Sequence, residues 1–143
     1  MNVRNYKMDI HQMNPEEFIL AYNLAHLEGW NTGKYDHRTI TDNTGFFSAR
    51  VEGETVAVIA CVKYGMSYSH LGLYICKKEY RGKGYAYILW KFAMGTIEGR
   101  NVGLDANMLQ IQRYLTRSIS IQCYDARPYY KIYCSENRIY IYY

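Results

Sequence analysis

The sequence predicts an α/β fold, and three observations carry that reading. A β-type run over 69–76 leads through a glycine-bearing turn into a helical pattern on Ala86, Leu89, Trp90, Ala93, Met94 and Ile97. Two further β-rich runs, 46–52 and 55–64, flank Gly53-Glu54 as an antiparallel hairpin. Near the start, Asn14-Pro15-Glu16-Glu17 has the chemistry of a helix beginning. At 143 residues the chain is long enough for one domain with a real core.

The elements follow in order. Residues 6–11 alternate well enough for a first strand. Asn14 then supplies a cap, Pro15 takes the first helical position, and Glu17 completes a capping box. Phe18, Ala21, Tyr22 and Ala25 line one side of that helix, which stops near Gly29. Residues 30–45 are polar, with turn clusters at 31–33 and 42–45 and room for a short helix over about 36–40. The hairpin comes next, and Gly65-Met66 turns the chain into a strand over 67–76. After the long helix, 102–105 reads as a short strand and about 109–117 as a last helix. Eight of the 17 tyrosines fall from Tyr114 onwards, and 139–143 is β-prone and uncharged. That end reads either as the last strand, paired with 119–124, or as an unrelated extension prone to aggregation.

Composition removes several functions. No stretch approaches the roughly 18 consecutive apolar residues of a membrane span, and no apolar segment follows Met1-Asn2-Val3-Arg4 as a secretory signal would require. Cysteines 61, 76, 123 and 134 lack metal-ligand spacing, so no metal is expected. Thiols in a reducing, cytoplasmic setting are the better reading. The net charge of +4 suits an anionic cofactor as well as nucleic acid and decides nothing alone.

The turn Tyr80-Arg81-Gly82-Lys83-Gly84-Tyr85-Ala86 carries the chemistry. The first N–H groups of a helix have no internal partners and point at its mouth, where an anion is welcome. Gly82 and Gly84 let the backbone approach a phosphate, while Arg81 and Lys83 add positive charge. A P-loop is excluded, because the lysine lies between the glycines and no hydroxyl follows it. A dinucleotide fingerprint is excluded as well, because Tyr87 stands where its third glycine belongs.

Arg-x-x-Gly-x-Ala, from Arg81 to Ala86, resembles the acetyl-CoA pyrophosphate loop of the GNAT N-acetyltransferases. The likeness runs from about residue 6 to residue 119. The segments 28–33, 45–47, 62–65 and 101–105, and the helix from Gln110 to Tyr114, are similar to a branch whose acetyltransferase domain precedes a second GNAT-like domain. The resemblance implies a mixed, mostly antiparallel central sheet flanked by helices, in the order β-α-α-β-β-β-α-β-α-β(-β). It implies a single GNAT domain over 1–143, with an atypical tyrosine-rich end over 118–143.

It also implies roles. Tyr74, Ile75 and Cys76 would offer backbone groups to the pantetheine arm of acetyl-CoA. Gly82, Lys83, Gly84, Tyr85, Ala86 and Tyr87 would hold its pyrophosphate, beside Arg81. Tyr114 matches the tyrosine that protonates the leaving CoA thiolate, and its ordinary pKa near 10 suits a donor. His70 matches a position where some members carry a catalytic Glu, and alternation over 70, 72, 74 and 76 would put it on the site's face. Glu28, Trp30, Asn31 and His37 lie where members shape the acceptor pocket.

Blander readings stand beside these. The loop could be an ordinary basic turn, although its flanking strand and helix favour CoA. Tyr114 could be one amphipathic tyrosine among many. His70 could be a satisfied strand histidine or a pocket wall, Trp30 core packing, and His37 a solvated loop residue. Cys76 lacks the paired His and Asp of a nucleophile, so a small buried strand residue fits it better. Ser118-Ile119 stands in place of the family's usual Gly-Phe, and Lys77-Lys78 in place of a common Pro at 78, which loosens the loop entry.

The expected activity is acetyl transfer from acetyl-CoA to a primary amine of a small molecule or peptide, by direct attack and without a covalent nucleophile. No nucleic-acid or membrane partner is expected, and a homodimer stays open. One rival is a non-catalytic acyl-CoA binder. The other, ranked last, is a nucleic-acid binder using the basic and aromatic C-terminal residues.

Overall fold

A computed structural model describes residues 7–33, 35–39, 42, 44–106, 121–124, 130–135 and 138–142. The elements are β1 (Met8–Gln12), α1 (Pro15–Leu27), a 3₁₀ turn (Asp36–Thr39), β2 (Phe46–Val51), β3 (Glu54–Tyr64) and β4 (Tyr68–Cys76). A second 3₁₀ turn (Lys78–Tyr80) and α2 (Tyr85–Thr96) follow, then β5 (Asn101–Ala106), β6 (Ile121–Tyr124), β7 (Tyr130–Ser135) and β8 (Arg138–Tyr142). The α/β class and the mixed, mostly antiparallel sheet are those the sequence led us to expect. The chain divides into two compact units, 1–60 with 73–96 and 61–72 with 97–143.

The first unit holds β1, β2, most of β3, the end of β4, and both α-helices. Helix α1 begins as its local chemistry dictates: the Asn14 side chain accepts from the Glu17 N–H at 2.9 Å, and the Glu17 carboxylate accepts from the Asn14 N–H at 3.0 Å. It ends in a Schellman motif. Gly29, at φ 78, donates to the His26 carbonyl, and Trp30 donates to that of Ala25, both at 3.0 Å. Strands β2 and β3 pair antiparallel around Glu52 and Gly53, which take φ values of 53 and 85. Two central residues with positive φ match the right-handed twist of the strands.

Adjacent residues on β2 point to opposite faces of the sheet. Phe46 meets Phe18 of α1 edge-to-face, and Phe47 meets Phe92 of α2 in the same way, both at 5.2 Å between ring centres. The two helices therefore cover opposite faces of β2. Strand β3 between them is buried on both sides at Val56, Ala57, Val58 and Ile59.

One buried carboxylate ties these elements together. Glu17 is 4% exposed and accepts from the Ser48 hydroxyl at 2.7 Å, the Thr55 hydroxyl at 2.8 Å and Arg50 Nε at 3.2 Å, with His11 Nε2 at 3.0 Å. Burial by itself pushes this carboxyl up, but hydrogen bonds from the Asn14 backbone, Ser48, Thr55 and His11 outweigh it and hold the pKa at about 2.

In the second unit β4 pairs parallel with β5, from Tyr68↔Asn101 to Leu71↔Leu104. The strand order continues β5-β7-β8-β6, antiparallel at β5–β7 and β7–β8 and parallel at β6–β8. Of the two readings the sequence left open for the tyrosine-rich end, the structure has the strand paired with 121–124, with Ile121 opposite Ile139. Strand β7 was not expected. It inserts between β5 and β8, so among the described residues three strands follow β5 where one or two were expected after the last helix. Arg100 fixes the β3–β4 turn by donating to the carbonyls of Gly65, Met66 and Tyr68 and to the Ser69 hydroxyl. The helix read over 109–117 lies outside the described residues, and the short helix near residue 36 is the first 3₁₀ turn. Among the described residues no helix is long and apolar enough to cross a membrane.

Replacing Glu17 with Gln should cost at least about 2 kcal/mol at pH 7, because several buried donors lose a charged acceptor. The folded pKa lies below the unfolded value of 4.5, so the carboxylate stabilises fully above pH 4.5 and less as pH falls towards 2. Urea denaturation of both proteins should therefore show the difference shrinking between pH 5 and pH 2. A difference constant with pH would refute this role.

Candidate active site

The turn from β4 into α2 lies wholly within the first unit. Its entry, expected to be loose at Lys77-Lys78, is held instead. The Lys77 N–H donates to the Val56 carbonyl at 2.9 Å, and Lys77 Nζ reaches Glu54 Oε1 at 2.8 Å. The Tyr80 hydroxyl donates to Glu54 Oε2 at 2.7 Å, which pushes the Tyr80 pKa up to about 12. Glu54 opens β3, 23 and 26 residues before these partners, and nothing in the local sequence marks it for them.

Past Tyr80 the chain extends at Arg81 and then turns through Gly82 at φ 76 and Gly84 at φ 87. Both values lie in the left-handed region, which costs other L-residues roughly 1–2 kcal/mol. A Cβ at either glycine would meet nothing within 4 Å, so the backbone faces open space. Helix α2 starts at Tyr85, with its first internal bond from Ile88 N–H to the Gly84 carbonyl at 3.1 Å. Gly84 has no side chain with which to cap this helix. The contrast with α1, closed by Asn14 and Glu17, is chemical: α2 presents its N-terminal partial positive charge to whatever occupies that space.

Arg81 does not reach into this space. Its Nε donates to the Cys76 carbonyl at 2.9 Å, and its Nη2 donates to the Glu28 carboxylate. Lys83 Nζ stands 5.0 Å from the centre of the Tyr80 ring, with no carboxylate partner among the described residues, and Tyr85 lies 6.2 Å from that ring. Tyr87 lies under Lys91, 5.2 Å away. Burial pushes the Cys76 thiol up, partly offset by Arg81, which suits an inert thiol better than a nucleophile.

The acceptor candidates are dispersed. Glu28 sits on Arg81, Trp30 and Asn31 are exposed, and His37 is half-buried beside Tyr22, 6.2 Å between rings. Asp36 closes the intervening turn by accepting from the Gly33 N–H at 2.7 Å.

His70 belongs to the second unit, half-buried, with Nδ1 3.2 Å from the Tyr68 hydroxyl. The sequence treated 70, 72, 74 and 76 as one alternating face. Leu73, at φ 47, departs from the extended backbone between them, yet Ser69, Leu71 and Ile75 are buried while 70, 72, 74 and 76 are all half-buried. The registered pairs of β4 with β5 end at Leu71, before Tyr74, Ile75 and Cys76. Tyr114 and Ser118-Ile119 lie outside the described residues.

The GNAT acetyltransferase family model matches residues 9–126, a span that includes this strand, its left-handed glycines and the start of α2. This chain belongs to the GNAT acetyltransferase family. It is 33% identical over 101 residues to the holothin acyltransferase of Pseudoalteromonas sp. (strain SANK 73390), an alignment covering 69% of this chain and 34% of that one. The chain thus spans about a third of that relative's length.

Two solved GNAT-fold structures are similar in fold alone. Diaminobutyrate acetyltransferase from Paenibacillus lautus, in complex with L-2,4-diaminobutyric acid and coenzyme A, matches with a TM-score of 0.64 at 14% identity, over 78% of this chain and 72% of that one. N-acetylglutamate synthase from Neisseria gonorrhoeae, complexed with coenzyme A and L-arginine, matches with a TM-score of 0.64 at 10% identity, over 80% and 28%.

Because Gly84 is held at φ 87, Gly84→Ala should destabilise the protein by about 1 kcal/mol, without any steric clash to relieve. Chemical denaturation checks this, and an unchanged midpoint would contradict it.

Proposed function

We propose that this GNAT chain transfers an acetyl group from acetyl-CoA to a primary amine of a small molecule or peptide. The observation that carries the reading is the strand-to-helix turn before α2, where Gly82 and Gly84 are left-handed and face open space at their Cβ positions. Such a turn binds a diphosphate through backbone N–H groups and the helix dipole. Family membership narrows that diphosphate to CoA. The coenzyme A bound in the diaminobutyrate and glutamate enzymes of the same fold supports it. Both compact units are read as parts of one such domain, since the family match spans them.

In this reading Gly82 to Tyr87 hold the pyrophosphate, with Lys83 as the nearby cation. The Tyr74–Cys76 backbone, beyond the last registered pair with β5, offers strand-edge hydrogen bonds to the pantetheine arm. Arg81 acts on the loop through Cys76 and Glu28. Trp30, Asn31 and His37 border the acceptor.

The reaction needs positioning above all. The neutral amine nitrogen attacks the thioester carbonyl carbon, the C–N bond forms, and the C–S bond breaks with its electron pair leaving on sulfur. Tyr114 donates a proton to that thiolate, and His70, directly or through water, takes the proton released by the amine. The products are an amide and CoA. The setting is read as reducing and cytoplasmic, from the spacing of the four cysteines in the sequence.

Isothermal titration with acetyl-CoA should give a micromolar or tighter dissociation constant, and no binding in that range would sink the reading. Tyr114→Phe should lower turnover by one to two orders of magnitude while leaving CoA affinity within about twofold. Equal losses in both would remove its acid role.

A further inference from the structure

Glu28 sits in a place that does not favour a carboxylate. It is the C-cap of α1, where the helix dipole presents its negative end. Its backbone is fixed there, because its own N–H donates to Leu24 at 3.1 Å and the Schellman bonds of Gly29 and Trp30 follow at once. A carboxylate held on the wrong end of a helix needs a cation, and Arg81 supplies it from 53 residues away. The same guanidinium uses Nε to bind the last carbonyl of β4, at Cys76.

One planar group thus joins the end of α1, the end of β4 and the residue that precedes Gly82. Arginine suits this task because its donors form a rigid fork, which a lysine cannot imitate.

We propose that Glu28 is a positioning residue for the cofactor loop: it locks Arg81 onto the Cys76 carbonyl and so sets where the Gly82–Gly84 backbone stands. The proposal rests on the CoA reading of that loop and replaces the acceptor-binding role expected for Glu28 from the sequence. It has a consequence for the neighbouring segment. Trp30 and Asn31 follow Glu28 after a single glycine, so the same pair ties the start of the acceptor segment to the cofactor loop. Anything that draws Arg81 away from Glu28 loosens both.

The test is a double-mutant cycle on coenzyme A affinity, using Glu28→Gln, Arg81→Lys and the double variant, with CoA as the titrant. Glu28→Gln should raise the CoA dissociation constant three- to tenfold. Arg81→Lys should do the same, because it keeps the charge and loses the fork. The double variant should be no worse than the weaker single, as expected of two residues acting as one unit. Turnover at saturating acetyl-CoA should show the acceptor KM raised in Glu28→Gln, by a smaller factor than the CoA dissociation constant.

Thermal melts separate this role from a merely structural one, since an exposed ion pair contributes little to global stability and the midpoints should stay together. An unchanged CoA dissociation constant in Glu28→Gln overturns the proposal, whether or not the acceptor KM rises. Additive losses in the double variant overturn it too. A wild-type protein that binds no CoA fails the functional reading itself, a result distinct from either.

Discussion

The connection from β4 to α2 has to end a strand, turn the chain and begin a helix without a side chain closing the helix's mouth. That constraint governs the first unit. It demands left-handed dihedrals at Gly82 and Gly84, and it leaves α2 with no cap of its own at residue 84. Rigidity must then come from outside the turn. Two carboxylates provide it: Glu54 holds Lys77 and Tyr80 on the near side, and Glu28 holds Arg81 on the far side. Every anchor lies on a residue flanking the glycines, and the glycines themselves stay open to ligand.

The fold beneath the turn is built to keep those anchors still. Glu17 fastens the start of α1 to β2 and β3 through buried hydroxyls and Arg50, and the Schellman motif fixes the other end of the same helix, where Glu28 sits. Phe46 and Phe47 seat α1 and α2 on opposite faces of β2. Charge at the loop is distributed accordingly. Lys77 and Arg81 are paired with protein carboxylates, so Lys83 and the helix dipole are left to supply positive potential at the glycine turn.

What the sequence made legible was local. Asn14, Pro15 and Glu17 fall within four residues, and their capping chemistry needs no distant partner. The hairpin about Gly53 and the glycine turn after β4 carry their own dihedral requirements. The pairings that fix the tertiary structure are remote. Glu28 and Arg81 are 53 residues apart, and Glu17 meets Thr55 across 38. Periodicity cannot join such residues. Nor does it foresee Leu73, a residue type that gives no warning of the positive φ it takes within β4. Strand β7 went unread although turn formers bound it in the sequence, Asp125 and Pro128 before it, Ser135 at its end and Asn137 after it.

The central claim is that an anion is held by the backbone at the open start of α2. Amide-resolved NMR during a titration with coenzyme A tests it most directly. The account predicts that the largest and saturating shifts fall on the N–H groups of Gly82 to Tyr87, with the Asn14–Glu17 amides at the capped start of α1 unmoved. Saturation that leaves the Gly82–Tyr87 amides in place, with the shifts elsewhere, would contradict it.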